Sequence, residues 1–421
     1  MQRLKSLDIF RGATIAAMII VNNPGSWDAV YSPLLHAPWH GCTPTDLIFP
    51  FFLFIVGVSI CFSLSKAQKI GISKKELLRK ISFRSLKLIY MGILLQIFPL
   101  WNTSNLSLTA YIFLGLGQVL IFTTLLFKPR IHSSKKEKLY DFFPWALSLL
   151  LLFVFYPYID IENIRIPGVL QRIGIVFALA SSLYLLTSLS IQRYIILFLA
   201  IGYFLLLSYV NVPSLGYPSI ESSENLPAYI DRLLLGASHL WQYAKSGDPE
   251  GLLSTIPSLI NALVGIQVGS LLLSTNNSKS KIYTLFIWGG LLLSLGWMWS
   301  FIFPLNKHLW TSSYALYTSG WAVLVFTFFY VISDVYSIYK GKIFTYFGTN
   351  SIFAYILSSA IASLLITIPL GRGSLGQLFF TFWVDIGFQK KLASLFFALS
   401  LLGFILFICK LLYDRRIYLK V

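Results

Sequence analysis

Hydrophobic and polar positions alternate in long blocks along this chain. Apolar runs occupy residues 7–23, 46–65, 81–99, 107–127, 142–158, 166–187, 192–210, 253–274, 282–303, 313–335, 344–369 and 392–413. Each approaches the roughly 20 residues that a helix needs to cross a bilayer core about 30 Å thick, so the pattern predicts an all-α polytopic membrane bundle of about 12 transmembrane helices. Membrane-spanning strands would read instead as alternating stretches of about 10 residues. The segment GRGSLGQLFFTFWVDIGFQ, residues 371–389, is too short and too broken by glycine to span, and predicts an interfacial or re-entrant piece. Neither a fixed-period repeat nor a second soluble domain stands out, so residues 1–421 are expected to form one membrane domain.

Basic residues test this division independently. About 24 of the 33 Lys and Arg fall in alternate inter-helix segments, and seven (Arg165, Arg232, Lys245, Lys307, Arg372, Lys390 and Lys391) fall in the intervening ones. The positive-inside bias then places both termini in the cytoplasm, which agrees with an even number of helices. The largest outer segment, 211–252, holds Glu221, Glu224, Asp231, Asp248 and Glu250, suited to a cationic or hydroxyl-rich ligand or to a solvated cap over helix ends.

Composition sharpens the class. Hydrophobic residues make up 56% and charged residues 12%, with a mean hydropathy of +0.73, whereas soluble domains carry about 25% charge. A formal charge of +17 would suggest nucleic acid in a soluble chain, but topology accounts for it here, and no nucleic-acid role is assigned. Cys42, Cys61 and Cys409 have no metal-like spacing, and there is no HExxH, so no metal is expected. The first apolar run, interrupted by Asp8 and Arg11 and ending at NNPGSW, does not read as a cleavable signal.

Polar groups near membrane boundaries are functional-site candidates, because desolvating them is costly without partners or water. The stretch LLHAPWHGCTPTDLIFPFFLFIVG collects His36, Trp39, His40 and Asp46 beside a span. His36 and His40 can equally be solvated loop residues. An imidazole can move a proton near pH 7 or carry an acyl group, and no G-x-S-x-G elbow competes with it. Asp8 and Arg11 share a helix face and can form a local pair. Asn22 follows Asp8 by 14 residues, about 21 Å along a helix. Gln171 and Arg172 sit at the outer end of a span, where Arg172 is expected to hold Asp46, Asp248 or Glu250. Asn350 begins a helix from the inner side and can cap it. About 12 helices with polar residues inside also describe many secondary transporters, here for an amino sugar or an N-acetylated sugar.

In order, LDIFRG, VNN, HAPWHGCTPTDLIFPFFLFIVG, RIPGVLQRIG, DPEGLLST, NKHLWTSSY, GTNS and YDRRIYLKV resemble the transmembrane acyltransferase family typified by heparan-alpha-glucosaminide N-acetyltransferase and its bacterial relatives. The resemblance implies an enzyme that takes acetyl-CoA from the cytoplasmic side and acetylates the amine of a glucosamine-type sugar on the other. It places the family's active-site histidine on His36 and its polar asparagine on Asn22. Asp46, Gln171, Arg172, Asp248, Glu250, Asn306 and Asn350 match further polar positions. On this reading His36, Asn22 and Asp46 form the catalytic group, with Asn22 and Asn306 donating to the developing oxyanion. Asp8, Arg11, Arg84 and Asn350 face the CoA end, where Arg79, Arg84 and Lys87 suit its phosphates. Trp39, Gln171, Arg172, Asp248, Glu250 and Asn306 face the acceptor. Residues 101–160 read as an inserted helix pair. No counterpart of the lysosomal enzyme's large extracellular domain is expected, and the resemblance then implies an amino-sugar acceptor at a bacterial inner membrane rather than heparan sulfate. Membrane lipid and a homodimer are the remaining expected partners.

Overall fold

The computed structural model describes residues 4–97, residues 117, 120–122, 125–126, 143, 145–150 and 153, and residues 160–419 except 223, 242–246, 276, 368, 371 and 372. The inserted pair expected at 101–160, with the runs 107–127 and 142–158 within it, lies mostly outside the described residues. The chain divides into two compact units. The first comprises Met1–Phe10, Leu35–Ile93 and Arg165–Gly341, and the second Arg11–Leu34, Leu94–Ile164 and Lys342–Val421.

The first unit holds α2 (Ile48–Lys69), α3 (Lys74–Ile97, to Ile93), α4 (Val169–Leu186), α5 (Leu189–Tyr209), the short α6 (Leu226–Leu235), α7 (Leu252–Leu273), α8 (Ser278–Trp299) and α9 (Ser312–Tyr330), which runs on through a wider turn at Val331–Val335. It also holds the start of α1 (Lys5–Asn22). Helix starts follow local chemistry: the side chains of Ser188, Asn225 and Asn277 accept from the backbone N–H three residues on, at α5, α6 and α8. The first donors of α1 find a carboxylate, with Lys5 N and Ser6 N giving to Asp334 at 3.0 and 2.9 Å.

Helix α7 is the axis of this unit, with α2, α4, α5 and α9 packed on it. Two glycines let α2 and α7 touch backbone to backbone. A Cβ on Gly57 would lie 1.9 Å from the Ala262 carbonyl oxygen, and one on Gly265 would lie 2.1 Å from that of Phe54. Asn261, fully buried on α7, donates to the Ala315 carbonyl and to the hydroxyls of Thr318 and Ser319 on α9. In an apolar bundle such a satisfied amide fixes one register between helices. Outward, α5 and α8 present Phe198, Leu197, Phe286 and Leu291, as lipid-facing helices do.

In the second unit the run at 344–369, expected as one span, is broken. Helix α10 (Lys342–Thr349) and α11 (Ser351–Thr367) meet at an 83° bend around Asn350. The Asn350 side chain turns away from the helices to the tail, donating to the Ile417 carbonyl at 3.2 Å and accepting from Leu419 N at 2.7 Å. A two-stranded hairpin, β1 (Pro369–Leu370) with β2 (Gly373–Ser374), leads into α12 (Leu375–Asp385), and α13 (Lys390–Asp414) follows. Helix α12 has 11 residues, too few to span. Its Leu378, Phe379 and Phe382 are exposed.

Among the described residues seven helices are long and apolar enough to cross a membrane, or eight if the bent pair counts as one span. Helix α1 carries Lys5, Asp8 and Arg11, and the first four turns of α3 carry Lys80, Arg84 and Lys87 among other charges. A predominantly helical membrane bundle is therefore observed, while among the described residues the expected 12 crossings are not reached, since α1 and α3 added to the seven or eight give nine or ten.

Candidate active site

Residues 35–47 fold by a chain of local bonds that end on one carboxylate. Thr43 opens a short 3-10 turn, Pro44–Leu47, and Asp46, three residues on, reaches back to accept from Thr43 N and Thr43 Oγ1, each at 3.0 Å. The same oxygen accepts from Ala37 N at 3.1 Å. Its partner Oδ1 lies 2.7 Å from His36 Nδ1. Asp46 is fully buried while the His36 side chain is 42% exposed, so one member is fixed and the other reachable. A carboxylate oxygen can only accept, so Nδ1 carries a proton, and in the neutral ring Nε2 is then the basic nitrogen. Such a pair has the chemistry of a histidine base oriented by an aspartate. Tyr314 completes the support by donating to the Asp46 carbonyl at 2.6 Å.

A second loop, between α8 and α9, closes against the first. His40 pairs with Asn306 as an isolated β-bridge, and Gly41 N donates to the Leu305 carbonyl at 2.7 Å. Asn306 is fully buried and occupied: Nδ2 faces His40 Nδ1 at 3.3 Å, and Oδ1 accepts from Leu309 N at 2.8 Å. That turn delivers Lys307, whose Nζ lies 3.1 Å from His36 Nδ1, 3.2 Å from Nε2 and 3.7 Å from Asp46 Oδ1. With Nδ1 turned to Asp46, Nε2 is the ring nitrogen that can accept from this ammonium. Burial pulls the Lys307 pKa down, and the Asp46 and Glu250 carboxylates pull it back up. The turn is pinned by Trp310, which adopts a left-handed φ of 52° that a bulky residue takes only under constraint. Its indole donates to Asn261 Oδ1 at 3.0 Å, and the Arg172 guanidinium lies 4.9 Å from its ring centre.

Aromatic rings line the approach. The His308 ring lies 5.2 Å from Trp39 and 6.2 Å from Trp241, centroid to centroid, and Trp39 Nε1 is tied to the Ile220 carbonyl at 3.0 Å. Burial and the nearby Lys307 charge hold the His308 pKa down at about 4, so this ring is neutral at pH 7.

The acidic cluster is organised differently from expectation. Arg165, not Arg172, holds Asp248 and Glu250: Nε is 2.7 Å from Asp248 Oδ2, and Nη2 is 2.5 Å from both Asp248 Oδ1 and Glu250 Oε2. These bonds and charges keep Arg165 firmly protonated, its pKa raised, and they help hold Glu250 below its ordinary value. Arg172 is instead sunk among neutral groups, donating to Ser254 Oγ, to Thr255 Oγ1 at 3.2 Å and to the Gly251 carbonyl at 3.2 Å. The reason is its place one turn inside α4, where its reach ends at the N-terminus of α7. Asp46, the third expected partner of Arg172, belongs to His36 and Lys307. Gln171 donates to the Ile166 carbonyl at 3.1 Å, bracing the RIPG turn.

The remaining candidates each sit in a setting of their own. Arg84 on α3 sits 4.8 Å over the Phe177 ring, and Asp8 is buried in α1. In the second unit Arg11 Nη1 reaches the Gly348 carbonyl at 3.4 Å, and Asn350 binds the tail as described. Asn22 is exposed, and its neighbour Asn23 is the buried one, donating to the Ile19 carbonyl at 2.7 Å. Sequence reasoning passed over Lys307 and Arg165 as ordinary loop cations, although each stands inside a quoted motif, NKHLWTSSY and RIPGVLQRIG. No cluster of metal-ligating side chains occurs among the described residues.

Residues 3–230, the part that carries His36, Asp46, Arg165 and Arg172, match the model of the heparan-alpha-glucosaminide N-acetyltransferase catalytic family. The chain belongs to this family. Among curated members, human heparan-alpha-glucosaminide N-acetyltransferase is 31% identical over 404 aligned residues, covering 84% of this chain and 52% of the human protein. The mouse protein of the same name is 28% identical over 403 residues, covering 84% of this chain and 53% of its own length. The chain thus spans about half the length of the curated relatives it matches. The family model ends before DPEGLLST and NKHLWTSSY, so the Lys307 turn and the Glu250 carboxylate lie beyond it.

Proposed function

We propose that this chain is a membrane-embedded N-acetyltransferase that moves an acetyl group from acetyl-CoA to the amine of a glucosamine-type sugar. The observation that carries the reading is the His36–Asp46 pair: an imidazole whose Nδ1 lies 2.7 Å from a buried carboxylate, on a side chain that is itself 42% exposed, with Nε2 facing the Lys307 ammonium at 3.2 Å. Such a group can take the ammonium-derived proton of an attacking amine, or accept the acetyl group itself and pass it on. Family membership supplies the acyl-transfer chemistry. The Trp39, His308 and Trp241 rings supply flat apolar faces of the kind that pack on sugar C–H groups, and the anionic Glu250 and Asp248 suit a cationic amino sugar.

In this reading residues 1–421 act as one catalytic domain with both termini in the cytoplasm, about 12 crossings when charged α1 and α3 and the apolar runs 107–127 and 142–158 are counted with the rest, and the His36 loop outside, as the basic residues suggest. Asn22 is then a further member of the catalytic group and Asp8, Arg11, Arg84 and Asn350 are residues to test for CoA binding, the membrane is a bacterial inner membrane, and a homodimer is the oligomer to look for.

The test is transfer by purified protein in lipid nanodiscs, with labelled acetyl-CoA and glucosamine. Wild type should form N-acetylglucosamine, and His36→Ala should form none while keeping its elution profile. Retained transfer in a folded His36→Ala protein would remove this residue from the chemistry. Movement of labelled sugar into proteoliposomes without any CoA would favour a transporter instead.

A further inference from the structure

We propose that Lys307 is the group that stabilises the acyl oxygen during transfer, its ammonium acting as the oxyanion donor beside His36. The proposal rests on the reading of His36 given above. It is carried by position: Nζ stands 3.2 Å from His36 Nε2, the atom at which the amine proton or the acetyl group arrives. An acyl group brought to Nε2 therefore has its oxygen within hydrogen-bonding range of Nζ, and the ammonium's bond passes from the ring nitrogen to that oxygen as the reacting group takes its place at Nε2.

The neighbouring asparagine is not available for this task. Asn306 uses Nδ2 on His40 and Oδ1 on Leu309 N, and it is fully buried. It builds the turn that aims Lys307. The lysine side chain is 16% exposed, so its charge acts in a partly water-free setting, where a fixed donor is worth more than in bulk solvent. The fully buried Trp310, locked to Asn261 and Arg172, holds the far end of the turn and limits how far Nζ can move.

In the step itself the amine nitrogen attacks the thioester carbonyl carbon and forms the C–N bond. The carbonyl π pair moves onto oxygen, where Lys307 donates to it. That pair then returns, the C–S bond breaks and CoA leaves as its thiolate, while the amine proton passes to His36 Nε2. If His36 carries the acetyl group first, Nε2 is the nucleophile and the oxygen occupies the same place.

The rival account is that Lys307 only neutralises Asp46, 3.7 Å away. Steady-state kinetics of nanodisc-embedded Lys307→Met and His36→Ala separates the two. Loss of an oxyanion donor should lower kcat by about 10²–10³-fold. The KM for acetyl-CoA should stay within about threefold, since the interaction forms in the transition state. A folded Lys307→Met protein with kcat within about threefold of wild type, beside an inactive His36→Ala, would overturn the lysine proposal alone. An active His36→Ala would overturn the reading beneath it. Should Lys307→Met not fold, Lys307→Gln, which keeps an N–H donor without the charge, is read by the same two parameters, with a kcat loss of about 10–100-fold expected and wild-type kcat refuting.

Discussion

Replacing Arg165 by Met should destabilise the first unit strongly, and the structure says which partner is responsible. Arg165 is 18% exposed, and its two carboxylate partners are 0% and 9% exposed, so the substitution strands two anions out of water. Their losses are unequal. Asp248 keeps two backbone donors, Trp241 N on Oδ2 and Glu250 N on Oδ1, both at 2.9 Å. The Glu250 carboxylate has Arg165 as its only hydrogen-bond partner among the described residues. Removing one member of a buried pair typically costs about 3–5 kcal/mol, most of it the penalty of the unpaired charge. Equilibrium unfolding in mixed micelles, followed by tryptophan fluorescence, should show a loss in that range for Arg165→Met. Adding Glu250→Gln should recover more than half of it, and adding Asp248→Asn distinctly less. A loss under about 1 kcal/mol, the range of exposed ion pairs, would refute the claim that this triad is desolvated. Equal recovery by both second substitutions would refute the assignment to Glu250.

Two further outcomes follow from the same reasoning. Asp46→Asn leaves the shape but no longer dictates that His36 Nδ1 bears the proton; transfer measured by product formation should fall by about 10³–10⁴-fold, and a fall under tenfold would exclude an orienting role. Burial raises the Asp231 carboxyl from 3.8 to about 6, and one of its oxygens has no partner among the described residues while the other accepts from Leu252 N at 2.9 Å. Because the folded value is the higher one, the stability this acid contributes is fully present below about 3.8 and is lost as pH rises through 6. Asp231→Asn should therefore gain on wild type between pH 4 and 6, by on the order of 2–3 kcal/mol, in paired denaturation curves; parallel curves across that window would contradict it.

The helical membrane architecture is legible in the sequence because bilayer solvation forces long apolar runs, and little besides a helix can satisfy a backbone there. His36 and Asp46 are legible for a related reason: polar residues packed between a loop and a span are rare enough to draw attention. What sequence does not convey is the pairing of distant charges. Arg172 looks like the natural partner of Asp248, yet Arg165, seven residues earlier, takes that place because it precedes α4 while Arg172 is committed inside it. Lys307 is invisible for the same reason, since its contact with His36 joins residues 271 positions apart. The break at Asn350 was equally hidden, because Asn reads as a cap, and only the fold shows it bound to Ile417 and Leu419.

The interlocked glycines of α2 and α7 bear on how this protein tolerates change. With main chains meeting at Gly57 and Gly265, neither helix can slide or rotate without lifting off the other, so Asp46, two residues ahead of α2, inherits a fixed height relative to Glu250, two residues ahead of α7. A single methyl group added deep in the bundle would thus misalign chemistry many residues away, producing a catalytic defect with an intact set of reactive side chains.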